Sequence, residues 1–155
     1  MNSLAADFSA QDVGSLFLYT HEAHPGEHYP HLTSFEQKLR HATALRDVLG
    51  VTRPILVDAL DGACHRRYGS MPNMNWIFDK RGTVLYKSDW ADADSVRHAL
   101  ERLMALPERR QSGVRIAPFQ VERVEWREAD RGRFYEGLER SGPKAVEEFR
   151  AAFGG

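Results

Sequence analysis

The sequence predicts an α/β fold, a mixed β-sheet with helices on both faces, and three observations carry that reading. Short apolar runs at 15–20 and 55–58 are separated by an amphipathic helical stretch, the β–α–β order that sets parallel strands side by side. Two further runs, 74–79 and 83–87, flank Asp79-Lys80-Arg81-Gly82, a turn that makes them a hairpin. Finally, 155 residues, 42% hydrophobic and 28% charged, with a mean hydropathy of −0.52, suit one domain with one sizeable core.

The elements follow in order. Residues 3–10 form a short helix: Ser3 can cap it, and Leu4 and Phe8 share a face. Gly14 breaks it, and the continuous apolar run at 15–20 suits a strand covered on both faces. Two prolines and a glycine make 21–31 a loop. A better helix starts at Thr33-Ser34, with Ser34 and Gln37 as a capping box. Its inward stripe is Phe35, Leu39, Ala42, Leu45 and Leu49, and Gly50 is its stop. Pro54 introduces the strand 55–58, and 61–68 makes one or two helical turns closed by Gly69. After the hairpin, a helix over 94–106 turns Val96, Leu100 and Leu103 inward, and Pro107 ends it. Residues 109–113 read as a linker, and 119–126 alternates weakly as a candidate strand. Amphipathic stretches at 133–138 and 143–153 predict two helices, with Pro143 in a first turn.

Composition excludes several classes. Lys+Arg at 21 against Asp+Glu at 22 gives a net charge of −1, so neither nucleic acid nor an anionic membrane is an expected partner. A lone cysteine, Cys64, excludes an intrachain disulfide framework, a cysteine-rich zinc site and a CxxC redox pair. No apolar run approaches the ~20 residues of a membrane span, and residues 1–7 lack the basic start and apolar stretch of a signal peptide. The expected location is cytoplasmic, and no cofactor is predicted.

Three stretches together resemble the iodothyronine deiodinase family. Tyr19-Thr20-His21-Glu22-Ala23-His24-Pro25 is similar to its Y-x-x-E-A-H segment, and 41–49 is similar to its next helix, a histidine ahead of L-x-D-x-L. Val57-Asp58, Tyr68, Pro72, Trp76-Ile77-Phe78 through Gly82, Leu85-Tyr86-Lys87 and Val96-Arg97 then follow the family pattern in order. The resemblance covers about 1–106, leaving 107–155 as a C-terminal extension with a candidate strand and two helices. It implies a thioredoxin-like three-layer mixed sheet with flanking helices, and a cis peptide at Met71-Pro72 facing the active site. It also implies a nucleophilic selenocysteine or cysteine after a first strand, and neither has a counterpart here. The fold is therefore expected to be N-terminally truncated. Otherwise the gap is filled by a partner subunit, a second copy of the chain, or 119–126.

The resemblance also implies the site. Glu22 and His24 would handle protons beside the nucleophile, chemistry for which histidine is suited near neutral pH. His41 would be the second histidine of the cleft, Pro72 would face the substrate, and Arg97 would clamp an anionic group. Each has a plainer reading as a loop, boundary or solvated helix residue. His21, His24, His28 and His31 are close enough in sequence to bind a metal, but Pro25 and Pro30 break the geometry, so no native metal is expected. Cys64 reads as a small buried residue, and Phe134, Tyr135 and Phe149 as core or interface contacts. The expected function is thiol- or selenol-dependent reduction, reductive dehalogenation included, of a small-molecule or thiol substrate, impaired by the missing nucleophile. The alternative is a non-catalytic binding or assembly module.

Overall fold

A computed structural model describes residues 1–154, which form seven helices and four strands. The chain divides into two compact units, Asn2–Pro72 with the stretch from Ala129 onward, and Asn73–Glu128. The four strands make two separate two-stranded sheets rather than the single mixed sheet expected. What is shown is thus mixed α/β structure.

In the first unit, α1 (Asn2–Ser9) buries Leu4 and Phe8 as predicted. β1 (Phe17–Tyr19) pairs in parallel with β2 (Ile55–Val57), with Phe17 opposite Ile55 and Tyr19 opposite Val57. Between them runs α2 (Phe35–Asp47), capped by Ser34, whose side chain accepts from the Gln37 N–H at 3.1 Å. The inward face of α2 matches the expected stripe only at Ala42 and the half-buried Leu45. Lys38, His41 and Ala42 are buried, whereas Phe35, Leu39 and Leu49 are exposed. The helix is rotated because its two buried polar side chains find partners at the strand ends.

α3 (Ala63–Tyr68) follows β2 and closes at Gly69. The C-terminal helices α6 (Arg131–Ser141) and α7 (Pro143–Phe153) also belong to this unit, where Leu138 and Ala145 are buried. They meet at Gly142 with φ 118°, in the region that favours glycine.

The second unit holds the hairpin β3 (Asn75–Phe78) and β4 (Val84–Ser88), antiparallel with an irregularity at Ile77/Phe78. Its turn is built by Asp79, whose Oδ1 accepts from the Arg81 and Thr83 N–H groups at 2.8 Å. α4 (Ala93–Met104), capped by Asp92, buries Val96 and Leu100. Pro107 does not stop helical structure. It occupies the first turn of α5 (Leu106–Gln111), where a missing N–H costs nothing, so the expected linker is partly helical.

The candidate strand at 119–126 carries no strand pairing. Its apolar residues Phe119 and Val121 fall on one parity, Val124 and Trp126 on the other, so an extended backbone cannot turn all four to one face. Among the described residues no peptide bond is cis, so Met71-Pro72 is trans. No helix of these residues is long and apolar enough to cross a membrane.

Candidate functional site

The first unit's polar side chains gather where the parallel strands end, the edge at which α/β sheets ordinarily carry their sites. Tyr19, the last residue of β1, is buried, and its hydroxyl donates to Oε1 of Glu22 in the following loop. Nδ1 of His41, from α2, lies 3.0 Å from the same oxygen. The ring of Tyr29 stands edge-on to His41, with centroids 5.2 Å apart. Burial first, then the hydrogen bond and charge of Glu22, raise the Tyr19 pKa far above the ordinary phenol value, so Tyr19 stays a donor. A carboxylate accepting from Nδ1–H orients the imidazole and leaves Nε2 for proton exchange.

A second cluster adjoins the end of β2. Lys38 is 0% exposed, and its ammonium donates to the Ala59 carbonyl at 2.9 Å. Asp58 accepts from the Cys64 and His65 N–H groups at 2.9 and 2.8 Å. Burial pushes the Asp58 carboxyl up, but the His65, Cys64 and Ala59 amides and the Lys38 charge together outweigh it, leaving the group below the ordinary carboxylate range. Burial lowers Lys38 against the pull of Asp58 and Asp61. His21 is lowered by burial and by the charges of His65 and Lys38; its ring lies 5.2 Å from that of His65.

Of the five predicted site residues, Glu22 and His41 are brought together. His24 points elsewhere, edge-on to Phe134 and Phe149 at 5.6 and 5.5 Å. Pro72 is exposed in a turn; the carbonyl before it, that of Met71, lies 2.9 Å from Nε2 of His65. Arg97 is half-buried on α4 in the second unit. The clustered histidines disperse, and among the described residues no group of three or more His, Cys, Asp or Glu side chains could hold a metal ion. Cys64 is a free thiol on α3.

Tyr19, Tyr29, Lys38, Asp58 and His65 were missing from the sequence prediction. Lys38 carried a signal, since it lies three residues before His41 and so on the same helical face. A hollow of about 780 Å³ lies in the second unit beside Trp90, Asp92, His98 and Trp126. The exposed 123–128 stretch walls it, and it holds none of the convergent polar groups described above. No protein-family model matches the chain, and no curated protein or solved structure matches it either.

Proposed function

We propose that the chain is a deiodinase-like, thioredoxin-like oxidoreductase domain that handles protons in a reductive reaction whose thiol or selenol comes from another molecule. One observation supports this above the rest: a single Glu22 oxygen joins the Tyr19 hydroxyl to His41 Nδ1. Reductive dehalogenation replaces a carbon–halogen bond by carbon–hydrogen. A selenolate takes the halogen as a selenenyl halide while the carbon gains a proton. One thiol then displaces halide from selenium to give a selenenyl sulfide, and a second thiol frees the selenolate as the disulfide forms, so two thiols are oxidised, the organic halide is reduced and hydrogen halide is released. His41 is the suited proton donor, Glu22 holds its ring and stabilises the imidazolium, and Tyr19 fixes Glu22. His24, Pro72 and Arg97 remain in the proposal on the resemblance alone. Cys64 has no part, and without an added nucleophile the activity is impaired.

The test is reduction of a small haloarene by the full chain with an added small selenol and excess thiol. Turnover should exceed the protein-free rate, fall about 100-fold or more in Glu22→Gln and His41→Phe, and survive Cys64→Ser. Equal rates with and without protein would sink the enzymatic reading.

A second reading, a non-catalytic module completed by a second copy or a partner strand, is favoured by the size of the β1–β2 sheet. Two parallel strands of three residues each fall short of the larger, doubly covered sheets in which parallel pairing is usual. Sedimentation showing a monomer at all concentrations would argue against self-assembly.

A further inference from the structure

The loop that follows β1 is docked on the C-terminal helices by contacts that bridge up to 117 positions of chain. Gly26 and Gly142 are both buried. A methyl on Gly26 would run into the Ser141 carbonyl, and one on Gly142 into the Glu27 carboxylate, so glycine is what lets the two backbones meet. The His28 N–H donates to the Ser141 carbonyl at 2.9 Å. Both Glu27 oxygens accept from the Lys144 N–H at 3.1 Å, which sets a carboxylate against the first turn of the 11-residue α7, where unpaired N–H groups and the helix dipole favour an anion. His24 adds an aromatic contact to each helix, through Phe134 and Phe149.

These contacts lead back to the site. The Gly26 N–H donates to the Tyr29 carbonyl at 3.1 Å, the Tyr29 ring stands against His41, and His41 bonds Glu22. We propose that the α6–α7 hairpin is a clamp on this loop, and that Glu27 is the positioning residue through which the clamp keeps Glu22 in register with His41. The C-terminal helices thereby control the geometry of a site to which they contribute no reacting group. The clamp stands on the contacts; its importance for catalysis rests on the proposed role of Glu22 and His41.

The experiment is NMR on the full chain, following exchange of the His28 and Lys144 amides and the His41 Nδ1–H signal. In Glu27→Ala both amides should exchange about tenfold faster or more, the scale of losing a helix-terminal acceptor, and the His41 signal should be lost to solvent exchange. Glu27→Gln keeps an acceptor oxygen and should restore part of the protection. Lys144→Ala keeps the N–H and should match wild type. Unchanged amides in Glu27→Ala would overturn the clamp, and faster amides with an unchanged His41 signal would overturn positioning. If Glu27→Ala fails to fold, Glu27→Gln decides by the same signals, partial loss supporting the proposal and none overturning it. A wild type without turnover whose amides and His41 signal respond as expected would sink the enzymatic reading and leave the clamp standing. Turnover without that response would do the reverse.

Discussion

The Tyr19 hydroxyl and the His41 imidazole meet on one oxygen of Glu22, and the three side chains arrive from the end of β1, the loop after it and α2. Tyr19 is 5% exposed, so water cannot readily replace Glu22 as its acceptor. Ionising the phenol would also bury a second negative charge beside the carboxylate. The network therefore ties the loop to the sheet only while Tyr19 keeps its proton.

Alkaline pH should expose this dependence. Burial and then Glu22 raise the Tyr19 pKa above its unfolded value, so the neutral phenol's contribution is fully present below about pH 10. It is lost as pH rises beyond that, because the unfolded chain releases its proton first. Stability should fall above about pH 10 in wild type and less steeply in Tyr19→Phe. That variant should cost about 1 kcal/mol at neutral pH by removing a donor from Glu22. Urea midpoints across the alkaline range check this, and equal slopes would contradict it.

Asp58 and Lys38 should differ in what their removal costs. The Asp58 carboxyl is depressed in the folded state, so its contribution is present above about pH 4 and lost as pH falls through the lower folded value. Asp58→Asn should flatten the acid limb of stability and cost about 3–5 kcal/mol at neutral pH, because an amide can accept only one of the Cys64 and His65 N–H groups and the buried Lys38 loses the attraction of Asp58. Lys38→Met should cost less, about 1–3 kcal/mol, since Asp58 keeps the His65 and Cys64 amides. Denaturant titration of both variants gives the order, and a reversed order would show that Lys38 is buried neutral.

How much was legible follows from α2. Its start was readable, because Ser34 and Gln37 state the cap chemically, whereas it ends at Asp47 and not at Gly50. Its rotation was not, because periodicity ranks apolar residues inward and treats Lys38 as solvent-facing, while the acceptors at the strand ends reward the opposite choice. Glu22 and His41 were reachable through the resemblance, but Tyr19 passed as an ordinary strand residue. The packing of the His24 ring was not legible, because its neighbours, Phe134 and Phe149, lie more than a hundred residues away in sequence, beyond any local pattern. The rotated face makes its own prediction: Leu39→Gln should change stability by under about 0.5 kcal/mol, and Ala42→Leu should cost about 1–3 kcal/mol by overpacking. Thermal melts compare them directly, and a more damaging Leu39→Gln would show that the helix turns Leu39 inward.

Two glycine substitutions separate close packing from helix propensity. At Gly26 an added methyl would collide with the Ser141 carbonyl, a backbone atom held by the α6–α7 corner and already bonded to the His28 N–H. It cannot swing aside as a flexible side chain would, so Gly26→Ala should cost about 1–3 kcal/mol. At Gly137, in the middle of α6, a methyl would meet nothing within 4 Å. Alanine there should stabilise the protein by up to about 1 kcal/mol through lower backbone entropy in the unfolded chain. Both act on the same helical hairpin, so opposite shifts in denaturation midpoint would locate the constraint in the contact rather than in the helix. If both variants were stabilised, the loop would not be seated on the corner, and the two backbones would not be in contact.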